Sequence, residues 1–236
     1  MKATWQNTAI IIPIYNAASH LEELFGRIFQ MNKTADIIAV NDGSADKSSD
    51  ICKNTNVDLV DFKRNCGKGK ALQIGFNRAL AKGMKFAISL DSDLQHRPEK
   101  IPEFLSVQNR LNADMIIGKR NFTLSNMPLS RIMSNFLTTK IVSAVIGQKI
   151  FDSQSGYRLY HLSLIKKMEF ESKRFQFETE ILLKFAKHRA KFGFVNIETI
   201  YGNEKSNISH WRDIKNFVEI VLKNKKRTNY ENFTYE

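Results

Sequence analysis

The first half of the chain alternates short, nearly continuous apolar runs with longer segments whose apolar residues recur every three or four positions. Ala9-Ile10-Ile11-Ile12-Pro13-Ile14, Ile37-Ile38-Ala39-Val40, Val57-Asp58-Leu59-Val60 and Phe86-Ala87-Ile88-Ser89-Leu90 are the runs. Their length and β-branched content predict strands buried on both faces of a sheet. Between them, residues 17–31 place Leu21, Leu24, Phe25 and Ile28 at helical spacing, and 44–54 and 70–81 also read as helices. Further on, 114–118 predicts a strand and 127–146 an apolar helix interrupted by Arg131 and Lys140. A helix over 177–187 and a late strand over 194–200 follow. The β-α-β-α order predicts an α/β fold with a mostly parallel central sheet and helices on both faces. Such sheets bind ligands beyond the carboxyl ends of their strands, so the polar residues at those ends are the first candidates for chemistry.

Asp91-Ser92-Asp93-Leu94-Gln95-His96 directly follows the fourth apolar run. Strand alternation predicts Asp91 and Asp93 on one side, where two carboxylates suit Mg²⁺ or Mn²⁺ shared with substrate phosphates; Gln95 offers a third oxygen. A turn closed by Asp side chains accounts for an isolated Asp-x-Asp, but the position at a strand end favours the metal. Asn41-Asp42-Gly43-Ser44 ends the second run, with Asp42 a candidate acceptor for ribose or base and Ser44 a candidate helix cap. Pro13, Tyr15 and Asn16 end the first run and could offer a ring and backbone groups to a nucleotide; a strand-to-helix turn explains Asn16 as well. Asn65-Cys66-Gly67-Lys68-Gly69-Lys70 precedes a helix and offers backbone N–H and ammonium groups to phosphates, although P-loop spacing is absent. A glycine loop with solvated lysines is the plainer alternative.

Together, in this order and spacing, these elements resemble glycosyltransferase family 2, and the likeness runs from about Ala9 to Asp213. Within it they are most similar to the dolichyl-phosphate mannose synthases and bacterial polyprenyl-phosphate glycosyltransferases. Asp91-Ser92-Asp93-Leu94-Gln95-His96, Gly118-Lys119-Arg120, Asp152-Ser153-Gln154-Ser155-Gly156-Tyr157-Arg158 and Phe175-Gln176-Phe177-Glu178 carry that similarity. The resemblance implies a GT-A fold, a nucleotide-sugar donor (GDP- or UDP-sugar) and an acceptor region appended to the sheet. It assigns Asp42 to the nucleoside, Asp91 and Asp93 to the donor and metal, Ser92 to the donor, Gln95 to the metal, and Arg120 and Arg131 to the anionic donor or acceptor. The chain departs from the synthase pattern at Ala17, at Thr199 before Tyr201-Gly202 and at Lys205-Ser206, which leaves the donor open.

The expected reaction is a single displacement at the anomeric carbon with inversion, in which a divalent ion stabilises the departing nucleoside diphosphate. A hydroxyl acceptor needs a base, for which Glu178 and Glu180 are candidates; each could equally pair with Arg174 or Lys184. A phosphate acceptor is already largely anionic at neutral pH and needs cations instead. The formal charge is +12, and residues 119–191 hold 14 Lys/Arg against 5 Asp/Glu. That excess suits a lipid phosphate, an anionic membrane surface or simply a solvated face. Ile132, Phe136, Leu137, Ile141 and Val145 could lie in a membrane interface beside a lipid tail, pack in the core or contact a second copy of the chain. His96 could orient Gln95 or a phosphate. The segment His210-Trp211-Arg212-Asp213 could close over the ligands or serve packing.

The charge alone would also fit a nucleic-acid-binding protein, but zinc-ligand spacing, an RNA-recognition motif and a recognition helix are absent from the sequence. A sugar-phosphate nucleotidyltransferase would carry a glycine-rich, arginine-containing loop where Pro13-Ile14-Tyr15-Asn16 stands. Within glycosyl transfer, the alternative acceptor is a hydroxyl of a surface glycan. No apolar run reaches the roughly 20 residues of a membrane span, and Cys52 and Cys66 lack Cys-x-x-Cys spacing. The expectation is free thiols and a cytoplasmic protein, either free or peripheral on the membrane's cytoplasmic face. One GT-A domain is expected over 1–222, with 1–118 as the donor half and 119–213 as the acceptor half, followed by a basic, polar tail at 223–236.

Overall fold

A computed structural model describes residues 1–121, 129–172 and 176–198. The elements in chain order are a short 3-10 turn at Trp5–Asn7, β1 (Thr8–Ile14), α1 (Ala18–Met31), β2 (Asp36–Asn41), α2 (Ser48–Lys53), β3 (Asp58–Asp61), α3 (Lys68–Ala81) and β4 (Phe86–Ser89). A 3-10 turn at Pro98–Lys100 then leads into α4 (Ile101–Leu111), β5 (Met115–Arg120), α5 (Leu129–Ile146), β6 (Arg158–His161), α6 (Leu162–Ile165), α7 (Phe177–Lys187) and β7 (Phe192–Ile197).

The seven strands of the described residues form one sheet in the order β3-β2-β1-β4-β6-β5-β7. Every pairing is parallel except those of β6, which runs antiparallel to both β4 and β5. The expected α/β architecture is present, and β6 is its one antiparallel insertion. Because β6 reverses, the turn before it joins the carboxyl ends of β1, β2, β4 and β5 at a single edge.

β1 is buried along its whole length. Its alternate residues serve two cores: Ile10, Ile12 and Ile14 pack with α1 and α4, while Ala9 and Ile11 pack with α3 and α7. Full burial of such a side chain contributes about 1.5–3 kcal/mol, which is why this central strand reads as an unbroken apolar run. Pro13 is tolerated because Ile11 faces β4 and the pairing with β4 ends at Ile11–Ser89; the missing N–H lies past that partner.

Several boundaries differ from the sequence expectation. The helix expected from residue 44 begins at Ser48, because Asp46 closes the preceding turn by accepting the N–H of Ser48 at 3.0 Å. α3 begins at Lys68, so the glycine-lysine loop opens the helix instead of ending before it. β7 starts at Phe192, and residues 199–200 of the expected strand lie outside the described residues. α4 and β6 were not among the expected elements. Arg174, Thr199, His210 to Asp213 and the tail 223–236 also lie outside the described residues, as does the side chain of Arg131, whose backbone belongs to α5. Both cysteines are free, and burial pushes the Cys52 thiol up to about 12.

Candidate active site

The strand ends of β1 and β2 are tied together by side chains. Asn16 N–H donates to Ser44 Oγ at 2.9 Å, Ser44 Oγ donates to Asn41 Oδ1 at 2.5 Å, and Asn41 Nδ2 donates to Asp61 at 2.8 Å. Asn16 Oδ1 in turn accepts the Ala45 N–H at 2.8 Å. Ser44 is therefore a link between strand ends and not a helix cap. Asn16 takes a positive φ of 52°, fitting the turn reading, while Tyr15 is 53% exposed at the rim.

Asp42 is buried and accepts the N–H groups of Cys66 at 2.6 Å and Gly67 at 2.8 Å. It holds the loop before α3 against the end of β2. Gly43 makes that approach possible: its φ is +69°, and an added Cβ would lie 2.4 Å from the Arg64 carbonyl carbon. Each carboxylate oxygen has a second lone pair, so holding the loop is compatible with contact to a nucleoside.

β4 ends at Ser89, so strand alternation does not set the directions of Asp91 and Asp93. A turn does, with Leu94 at φ +58°. Asp93 Oδ1 closes it by accepting the Gln95 N–H at 3.0 Å. Asp91 points instead to Lys68, whose Nζ lies 2.7 Å from Asp91 Oδ1 and 3.0 Å from Glu178 Oε1. Burial alone would raise the Asp91 carboxyl, but the Lys68 ammonium outweighs it and holds the group below the ordinary carboxylate value. Burial likewise works against the Lys68 charge, and the two carboxylates raise its pKa nonetheless. Gly156 closes this cluster from the turn before β6: an added Cβ there would sit 2.8 Å from Lys68 Nζ and 3.0 Å from Asp91 Oδ2.

His96 is buried beside the same turn, its ring stacked on Tyr157 with centroids 5.9 Å apart. Burial pulls its pKa below the ordinary imidazole value, with Asp91 opposing. That stacking holds the acidic turn against the residue before β6.

The next wall of the site is built from Arg120 and the turn 152–156. Arg120 Nε and Nη2 donate to Asp152 at 2.7 and 2.9 Å. Asp152 Oδ1 also accepts the N–H groups of Gln154 and Ser155, each at 3.1 Å. Ser153 and Thr139 share a hydroxyl contact of 3.0 Å, which fastens the turn to α5. Behind it Arg158 is fully buried and donates to the carbonyls of Ser155, Ser153 and Glu178 at 2.7, 2.8 and 2.8 Å. It thereby joins the turn to the start of α7, which carries Glu178.

The structure thus brings Asp91, Lys68 and Glu178 into contact and leaves Glu180 elsewhere. Glu180 accepts the N–H groups of Glu171 at 3.0 Å and Ser172 at 2.8 Å and pairs with Lys184 at 3.1 Å. Burial opposes its charge, but those donors hold its carboxyl below the ordinary value. Asp152 and Arg158 were not among the candidate site residues; the signal available was the segment Asp152 to Arg158, which the family resemblance already marked.

A mostly parallel sheet of this order, with an acidic turn at the end of β4 and a basic helix start facing it, is the GT-A architecture. Residues 9–169 match the family described as glycosyl transferase family 2. The chain belongs to that family. It is 27% identical over 188 residues to the undecaprenyl-phosphate mannosyltransferase of Micrococcus luteus, covering 75% of this chain and 76% of that one. It is 28% identical over 214 residues to the UDP-N-acetylglucosamine–dolichyl-phosphate N-acetylglucosaminyltransferase of Methanococcus voltae, covering 81% and 85%. Among solved structures, glucosyl-3-phosphoglycerate synthase of Mycobacterium tuberculosis with Mn²⁺, UDP and glucosyl-3-phosphoglycerate superposes with a TM-score of 0.69. That match has 14% identity and covers 94% of this chain and 79% of the other; at that identity the likeness is one of fold.

Proposed function

We propose that this glycosyltransferase moves a sugar from a GDP- or UDP-sugar to the phosphate of a polyprenyl phosphate at a membrane surface. The observation that carries the acceptor reading is an exposed apolar stripe on α5, a helix whose Val142 packs in the core. Its buried positions include polar Asn135 and Thr139, whereas Met133, Phe136 and Leu137 are 64%, 61% and 60% exposed. An apolar stripe facing water on a helix whose other side fastens the Asp152 turn suits insertion among lipid tails next to the site. Of the five residues expected in the interface, Phe136 and Leu137 face out, and Ile132, Ile141 and Val145 are half-buried. Lys140 lies 4.6 Å from the Phe136 ring, and Lys119 and Lys149 each lie 4.8 Å from the ring of Phe151, itself 39% exposed. Such amphipathic lysines suit the boundary between anionic head groups and acyl chains. Among the described residues no helix is long and apolar enough to cross a membrane. Two relatives bear names that specify undecaprenyl phosphate and dolichyl phosphate as acceptors, which supports the same reading.

The donor side fits a divalent ion shared with the diphosphate. Asp91 and Glu178 already attract one cation, the Lys68 ammonium, which stands where a metal's charge is wanted. Among the described residues no three His, Cys, Asp or Glu side chains converge on one point; an ion held by one or two carboxylates jointly with phosphates needs no such cluster. Asp91 and Asp93, with Gln95, would hold Mg²⁺ or Mn²⁺. When bound, the ion supplies charge stabilisation for the departing nucleoside diphosphate. Asp42 and the Asn16–Ser44 link frame the nucleoside, and Arg120 with Arg131 answers the acceptor phosphate. A phosphate nucleophile needs no base, so Glu178 can remain paired with Lys68.

The test is a panel of radiolabelled GDP- and UDP-sugars with Mn²⁺ and either polyprenyl phosphate or an oligosaccharide acceptor. Label is expected in the organic phase with the lipid; label on the oligosaccharide alone would overturn the acceptor reading.

A further inference from the structure

Lys68 occupies a closed niche. Its Nζ is bracketed by Asp91 Oδ1 at 2.7 Å and Glu178 Oε1 at 3.0 Å, and Gly156 leaves just enough room for it, since a Cβ there would lie 2.8 Å away. A metal ion coordinated by Asp91 Oδ1 would take the position the ammonium now holds, because two positive centres repel at one oxygen in a partly buried site. Glu178 has capacity to spare: its Oε2 is buried and has no hydrogen-bond partner. An unpaired buried carboxylate oxygen costs free energy and favours any arrangement that brings it a donor.

We propose that Lys68 is a built-in competitor of the divalent ion. In the metal-free protein it neutralises Asp91. When metal and donor bind, it leaves Asp91, stays tethered by Glu178 and turns its charge to the donor diphosphate. Glu178 is then a positioning residue for Lys68, and no proton-transfer role is assigned to it. Asp91 is kept oriented and neutralised without metal, and the exchange makes metal and diphosphate binding favour one another. The inference rests on the metal reading of Asp91 given above.

Calorimetric titration of the metal-free full chain separates the two. With MnCl2 and no nucleotide, Lys68→Met should bind Mn²⁺ at least ~10-fold more tightly than the wild type. With UDP titrated at saturating Mn²⁺, the same variant should bind the nucleotide more weakly. General damage to the site would weaken both, so the opposite signs are diagnostic. Glu178→Gln removes the tether and should weaken Mn²⁺ by about threefold or more, because Lys68 then leans on Asp91 alone. Should Lys68→Met fail to fold, Glu178→Gln carries the test, and unchanged Mn²⁺ affinity there overturns the proposal. If Asp91→Asn abolishes Mn²⁺ binding while Lys68→Met leaves it unchanged or weaker, the competition is wrong and the metal site stands. If Asp91→Asn leaves Mn²⁺ binding intact, the metal reading fails and this inference with it.

Discussion

Arg120 and Asp152 meet as fork and carboxylate, Nε to Oδ2 at 2.7 Å and Nη2 to Oδ1 at 2.9 Å, with Asp152 1% exposed. The pair joins the end of β5 to the turn that carries Gly156 against Asp91. Removing Asp152 would take its carboxylate from the Arg120 guanidinium and from the backbone N–H groups of Arg120, Gln154 and Ser155. Asp152→Ala is expected to cost about 3 kcal/mol in denaturant unfolding, the lower end for breaking a buried pair, because Arg120 retains some solvent contact. Arg120→Lys keeps the charge but loses the two-pronged geometry. It should retain most of the stability and lose turnover.

Asp93→Asn isolates charge from structure. The amide oxygen can still accept the Gln95 N–H that Asp93 Oδ1 accepts at 3.0 Å, so the turn should persist. Metal-dependent turnover should fall by about 100-fold or more, in line with losing one charged group that acts on the leaving group. Circular dichroism and thermal unfolding check that the fold is retained. Near-normal turnover with Mn²⁺ would remove Asp93 from the donor site.

Phe136→Ser and Leu137→Ser change residues that are 61% and 60% exposed, so stability should move by no more than about 0.5 kcal/mol. If α5 lies in the lipid interface, each substitution should weaken partitioning onto vesicles containing anionic lipid by about tenfold, the scale set by burying one large apolar side chain. Sedimentation with vesicles reads this directly. Unchanged partitioning in the double variant would point to another use of the stripe.

His161 predicts a pH dependence of stability. Its ring packs edge-on against Phe86 at 4.8 Å, and burial pulls its pKa below 6.5, with Asp114 opposing. A histidine depressed in the fold binds its proton more readily when unfolded. Its contribution is therefore complete above pH 6.5 and declines as pH falls from there through the lower folded value. Melting temperatures from pH 7.5 to 5.5 should fall, and His161→Phe should flatten that part of the curve.

The central strands were legible because burial on both faces forces continuous apolar sequence, as in the seven buried residues of β1. β6 was hidden by Arg158, whose charge reads as surface; only the folded chain supplies the three carbonyls that make it a core residue. α4 carried a legible signal, with Ile101, Phe104, Leu105 and Gln108 at helical spacing and Pro102 in its first turn. The candidates Asp91, Lys68 and Glu178 could be chosen from motif position, but their mutual contact depends on α3 and α7 packing on the same face of the sheet beside the end of β4. Asp91 and Asp93 were expected on one side by alternation, and that argument lapsed once the strand stopped at Ser89. The polarity of α5 could be seen in its residue types but not in its orientation, because an apolar stripe reads the same whether it faces core, partner or lipid.

The central claim is that the acceptor atom is a phosphate oxygen of a polyprenyl phosphate. The measurement that addresses it most directly is ³¹P NMR of the purified lipid product after turnover with the preferred nucleotide-sugar. The account predicts that the acceptor's monoester resonance is replaced by that of a phosphodiester joined to the anomeric carbon with inverted configuration. A monoester that persists while the sugar is recovered on a hydroxyl would contradict it.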